Sequence, residues 1–238
     1  MLARLGATLP TPRAVLAVSA HWEAGRPTVS AAEWPRTLHD FHGFPRELYS
    51  LSYGAPGSPA LATRVIELLA AAGIDGDVSS DRGLDHGAWV PLRYLRPTAD
   101  LPVVQLAVSP ALGTAHHLAL GRALAPLAHE GVLVLGSGSL THNLREVQWD
   151  AAEGEAPPWV REFADWVAAA VAAGDAESLV TYRRRAPQAC RNHPTEEHFL
   201  PLLVAFGAAG EGATGRREDG GYSYGALSMD AFVMTTGG

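Results

Sequence analysis

Three short runs in this chain are apolar almost throughout, and none is long enough to be a core helix. They are "AVLAV" from Ala14, "LPVVQLAVS" from Leu101 and "GVLVLGSGS" from Gly131. A strand with no polar face has to be covered on both sides, which is the setting of a parallel or mixed sheet between layers of helix. Segments of helical period stand between and after the runs. Ser58 and Pro59 supply a capping hydroxyl and a first-turn proline, and Leu61, Val65, Leu69 and Ala72 then recur at helical spacing up to Gly73. "GAWVPLRYL" after His86 reads as a short helix whose first turn Pro91 keeps irregular. Thr114 to Glu130 carries His117, Leu120, Leu124 and Leu127 on one stripe and stops at Gly131.

The C-terminal half repeats the theme. "PPWVREFADWVAAAVAAG" is an amphipathic helix closed by Gly174, "DAESLVTYRRR" a second, and Thr195 caps a third through "EEHFLPLLVAFG" to Gly207. Gly210 to Tyr222 reads as a polar, glycine-rich loop, and "ALSMDAFVM" (Ala226 to Met234) as a last strand. No internal repeat, long linker or low-complexity tract interrupts the 238 residues, of which 47% are apolar and 18% charged. The expectation is therefore a single α/β domain over 1–238, its central mixed and largely parallel sheet flanked by helices on both faces.

Charge and cysteine content narrow the partners. With 18 basic against 25 acidic residues and no basic run beyond Arg183-Arg184-Arg185, the chain lacks the concentrated positive face that nucleic acid requires. No stretch has the length of a membrane span, and the N-terminus has no signal-peptide pattern. The lone Cys190 fits a small, inert core residue in a reducing compartment, so the cytoplasm is expected.

In open α/β sheets ligands collect beyond the carboxyl ends of the strands. His21 follows the Ala14–Ala20 strand, His142 follows the Gly131–Ser139 strand, and His198 falls in the first turn of the Thr195 helix. Three imidazoles from distant parts of the chain can thus meet, and imidazole is the commonest ligand of zinc and non-haem iron. Each of the three also fits an ordinary hydrogen-bonded loop or cap residue. Glu196 and Glu197 read as dipole-stabilising acids at a helix start, and His116, His117 and His129 as structural or surface residues. "GSGS" lacks the frame of a phosphate loop. Arg36 to Pro59 gathers His39, Asp40, Phe41, His42, Phe44, Tyr49 and Tyr53, more aromatic and histidine character than a plain connector carries. In "GLDHGAWVPL", Asp85 is placed to hold His86 as an acid or base.

Eight stretches, "VSAHW", "TLHDFHGFPRELY", "YGAPGSPALA", "GLDHGAWVPL", "VQLAVSP", "GSGSLTHNLR", "PTEEHFLPLL" and "YGALSM", run in order from about Pro10 to Met234. Together they resemble the class III extradiol ring-cleaving dioxygenases of the DOPA 4,5-dioxygenase type. The resemblance implies an α/β fold around one divalent metal ion, Fe(II) for dioxygenase activity or Zn(II) as a bound species. It implies His21 and His198 as ligands, with His142 at the same centre as ligand or acid–base. His86 would be the second proton-handling residue, and His39, Phe41 and His42 would line the pocket. The substrates implied are a small aromatic diol and O₂, with no nucleic acid and no membrane, in a protein compatible with a homo-oligomer. The family pattern also holds an earlier Gly-His-Gly-Ser-Pro strand with a further histidine ligand, whereas these residues contain no Gly-His-Gly and Met1 stands past its place. Two expectations follow: either the start lies further upstream and carries that strand, or this is a member lacking it. His42 stands where relatives have a second glycine. A silent binding or scaffold module, and zinc-dependent hydrolysis or lyase chemistry, are the alternatives at this stage.

Overall fold

A computed structural model describes residues 1–235. Its sheet has five strands, β1 (Ala14–Glu23), β2 (Thr28–Ser30), β3 (Asp77–Ser79), β4 (Val103–Val108) and β5 (Val132–Ser137), in the order β3-β2-β4-β1-β5. β1 lies parallel to both β4 and β5, β2 is parallel to β3, and only the β2–β4 bridge is antiparallel. The sheet is thus mixed and mostly parallel, as the apolar runs require.

Two-residue alternation sorts the side chains of β1 between two cores. Leu16 and Val18 join Leu106, Val65, Leu69, Phe163 and Leu203 on one face, while Val15 and Ala17 join Tyr53, Trp89 and Leu92 on the other. The helices are α1 (Leu2–Thr8), α2 (Pro59–Ala71), α3 (His86–Leu95), α4 (Gly113–Ala123), α5 (Pro126–His129), α6 (Pro158–Ala172), α7 (Ala176–Val180), α8 (Tyr182–Arg185), α9 (Ala189–Asn192) and α10 (Leu200–Ala208). Among the described residues no helix is long and apolar enough to cross a membrane.

Several elements depart from their sequence-based expectations for identifiable reasons. The Thr114–Glu130 stripe is buried as expected, but Pro126 has no N–H to continue the ladder and the helix splits into α4 and α5. "DAESLVTYRRR" likewise divides, at Thr181. The third C-terminal helix begins at Leu200 rather than after Thr195, because Pro201 suits only a first turn, and it runs one residue past Gly207. Thr195 instead donates its hydroxyl to Glu197. Pro91 lies within α3, which continues through it to Leu95. Cys190, expected in the core, is exposed on the short α9.

The expected loop at Gly210–Tyr222 contains a strand, β6 (Thr214–Glu218). It pairs antiparallel with β9 (Ala231–Thr235), while β7 (Tyr222–Ser223) pairs with β8 (Leu227–Ser228). The segment expected as one last strand is therefore two, both outside the central sheet. β6 escapes an apolar pattern because ion pairs hold it: Arg217 bonds both Asp165 and Asp230 at 2.7 Å.

Candidate metal centre

β1 and β5 are parallel neighbours, so their carboxyl ends share one edge of the sheet. Pairing with β5 stops at Ser19, and the register with β4 breaks between Ser19 and Glu23. His21 thus stands in a bulge, a common device for re-aiming a side chain beside a site. α3 brings its first residue, His86, against it. The N-cap of α3 is Asp85, a fully buried carboxylate that accepts hydrogen bonds from Ala88 N (3.1 Å), Ser19 Oγ (2.7 Å), Arg82 Nη2 (3.1 Å) and Gln105 Nε2. Gly87 permits the approach: a Cβ there would lie 2.3 Å from Ser19 Oγ and 3.0 Å from His21 Cδ2.

The second half of the site grows from the tip of β5. Ser139 N donates to His198 O (3.2 Å), and a Cβ at Gly138 would stand 2.1 Å from that same oxygen. A Cβ at Gly136 would meet Pro201 O at 2.3 Å. The glycines of "GSGS" therefore admit the backbone that carries His198. His142 is held by its own N–H, which donates to Asn192 O (2.9 Å).

Four imidazoles form one row. Ring centroids are 3.8 Å apart for His86 and His21, 4.9 Å for His21 and His198, and 3.4 Å for the stacked pair His198 and His142. Two groups have ligand atoms within 4.8 Å of one another: His21, Asp40 and His86, and His142, Glu197 and His198. Burial, reinforced by neighbouring imidazoles His142 and His21, pushes His198 down to about 2. Burial also lowers His21, aided by His86, although the His21 ring stays open to solvent at the rim of the site. Burial lowers His142. All three are neutral at neutral pH, the form that ligates a metal. Nδ1 of His198 is buried without a hydrogen-bond partner. A buried, unpartnered imidazole nitrogen amid neutral imidazoles and two carboxylates is a donor set that fits a divalent transition metal.

Asp85 does not hold His86, contrary to the sequence-based expectation. Asp40 does: its Oδ1 lies 2.9 Å from His86 N and 3.1 Å from Nδ1. Partial burial pushes the Asp40 carboxyl up, but the bonds from His86 outweigh it and hold it below its usual value. Phe41 packs edge-on to His86 at 5.6 Å, whereas His39 sits behind, bonded through Nε2 to Leu51 O (2.8 Å) and packed on Trp89. His42 is exposed and lies outside the row. Glu197, read from sequence as a helix-dipole residue, precedes α10 and joins the His142 group instead. No signal in the sequence marks Asp40 or Glu197 for these places, since both depend on where loops return. His117 and His193 are structural: His117 bonds Gly113 O and Ser109 N, and His193 bonds Leu140 O. An apolar cavity of about 430 Å³ follows β5 and meets the row only near His198.

Comparison with known proteins adds a family to this geometry. Residues 3–234 match the family described as the catalytic LigB subunit of aromatic ring-opening dioxygenase. The chain is 44% identical over 226 residues to a Beta vulgaris protein named 4,5-DOPA dioxygenase extradiol, covering 94% of this chain and 84% of that one. It is 44% identical over 208 residues to a protein of the same name from Escherichia coli K12, covering 86% and 76%. The crystal structure of uncharacterized protein JW3007 from Escherichia coli K12 is similar with a TM-score of 0.80 at 38% identity, covering 98% of this chain and 90% of the other.

Proposed function

We propose that this chain, which belongs to the family of catalytic LigB subunits of aromatic ring-opening dioxygenases, opens a catechol ring beside its two hydroxyls, with a DOPA-like diol as substrate. The observation that carries this reading is the row of His86, His21, His198 and His142 at the carboxyl ends of two parallel strands. In the overall reaction the ring bond next to the diol breaks and both atoms of O₂ enter the product, leaving a carboxylate and an aldehyde.

His21 and His198 would hold the ion, with His142 as third ligand or as the acid–base group beside it. Iron(II) is the ion we assign for turnover, and zinc(II) an occupant without it. When bound, the ion supplies Lewis-acid activation of the diol and, as iron, the one-electron chemistry that spin-paired rings need to react with O₂. The protein's own groups handle protons and exclude water. Neutral His142 takes a diol proton on a free ring nitrogen and returns it as the ring opens. Asp40 beside Nδ1 of His86 favours the Nδ1–H tautomer, leaving Nε2 as the acceptor for a second proton. Phe41 walls this side with an apolar ring, His39 braces the loop from behind, and His42 is an exposed residue of the same loop.

The test is anaerobic loading with iron(II), followed by DOPA and a panel of catechols in air-saturated buffer. One O₂ consumed per catechol with a yellow semialdehyde is the expected result, and the zinc form should give none. Iron-bound protein that consumes no O₂ with any catechol overturns the reading in favour of a binding module.

A further inference from the structure

His21 occupies a position that the sheet itself does not hold. Pairing to β5 ends at Ser19, pairing to β4 loses register just beyond it, and residues 20–22 span the gap. One hydrogen bond replaces the ladder there: His21 N donates to Ser19 Oγ at 3.2 Å. That oxygen is in turn fixed, because its hydroxyl donates to Asp85 Oδ1 at 2.7 Å.

Asp85 is anchored from three further directions. Gln105 of β4 bonds it twice, through Nε2 to Oδ2 and through Oε1 to the Asp85 N–H (3.3 Å), while Arg82 and Ala88 supply the remaining donors. Ser19, Asp85 and Gln105 are all fully buried. One carboxylate therefore ties the start of α3, which carries His86, to the end of β1, which carries His21. Gly87 completes the interlock, since any side chain there would strike Ser19 Oγ and the His21 ring.

We propose that Ser19 and Asp85 form a positioning pair that fixes His21 where strand pairing has ended, and with it the His21–His86 spacing. Neither residue reaches the ring nitrogens, so they act through the backbone of His21. The proposal rests on the reading of His21 as a metal ligand.

Ser19→Ala is the informative variant. It cuts the link to His21 but leaves Asp85 its bonds from Ala88, Arg82 and Gln105, so the cap of α3 persists. Ser178→Ala is the control, removing a buried, hydrogen-bonded hydroxyl from α7. Metal-free and Co(II)-loaded proteins would be compared by amide hydrogen exchange, by Co(II) affinity in chelator competition and by the visible Co(II) spectrum.

Ser19→Ala should weaken Co(II) binding about 10- to 100-fold, the usual loss when a residue orienting a ligand is removed. It should also alter the spectrum and speed exchange of the His21 amide about tenfold, the worth of one hydrogen bond. Ser178→Ala should change none of these. Asp85→Asn, provided it keeps its near-ultraviolet signature, should repeat the effect on His21. Ser19→Ala with Co(II) affinity within about twofold of wild type and unchanged His21 exchange overturns the positioning role. If His21→Ala binds Co(II) as the wild type does, His21 is no ligand, and the metal-site reading falls together with this proposal.

Discussion

The two halves of the histidine row are built by opposite means. His198 and His142 lie against packed backbone, with glycines at 136 and 138 admitting α10 and the turn before it. His86 depends on the 36–51 loop, where Asp40 holds it from a half-exposed position and Phe44 is 52% exposed. The first pair is positioned by close packing, whereas the His86 ring, beyond the buried Asp85 tie that seats its backbone, is held by a polar contact within reach of water. The difference assigns tasks: the packed residues, with His21 behind the buried Asp85 tie, suit holding an ion in fixed geometry, and the loop outside His86 suits admitting and discriminating substrates.

This contrast can be broken or sharpened, and the largest effect lies in the packed half. His142→Ala should lower catechol turnover about 10²- to 10⁴-fold. Metal content measured on the same variant decides its role: retained iron makes His142 the acid–base group, and lost iron makes it a ligand. The second effect is on stability. Burial pushes both His117 and His193 from 6.5 to about 4. Between those values the unfolded chain binds protons that the folded one refuses, so stability is full above pH 6.5 and falls as the pH drops toward 4. Each residue should account for up to about 3 kcal/mol of this loss. Urea midpoints at pH 7 and 5 check it, and His117→Gln should flatten the slope.

Next comes Gly138→Ala, which sets a methyl against His198 O and should cost about 1–3 kcal/mol or more in chemical denaturation. Gly43→Ala on the loop side meets no atom within 4 Å, and its left-handed φ of +81° should cost only about 1–2 kcal/mol. A larger penalty at Gly43 would reverse the comparison. Asp40→Asn should change stability by less than about 1 kcal/mol, because the pair is partly solvated, yet lower kcat/KM by freeing the His86 tautomer. Phe44→Ala should leave stability within about 0.5 kcal/mol and shift KM between catechols of different side chain.

What could be read from the sequence follows the same division. The apolar runs of β1 and β4 declare a covered sheet because burial on both faces leaves no polar period, whereas β5 carries the same kind of run with every residue only half-buried; the rule about carboxyl ends then points to His21 and His142. His198 is legible only through a helix start that the structure moves: Pro201 sets that start at Leu200, and His198 lies in the preceding turn. The sequence pairs His86 with Asp85 because chain neighbours are the natural partners to consider, whereas His86 meets Asp40, a carboxylate 46 positions away. β6 stayed hidden because its stability comes from Arg217 and two aspartates rather than from apolar alternation. Local pattern conveys layers; it does not convey the return of loops.

The glycines against which the helices close set a limit on how this protein can diversify. Gly121 and Gly207 face each other across α4 and α10, each with a neighbouring carbonyl closer than 3 Å to where a methyl would go, and Gly136 and Gly138 continue the seam to the site. Variation that adds volume along this line displaces main chain, so a library randomised there would consist mostly of unfolded members. The 36–51 loop carries no such debt. A lineage adapting to a new diol would accordingly show its changes on that rim while the seam stays silent.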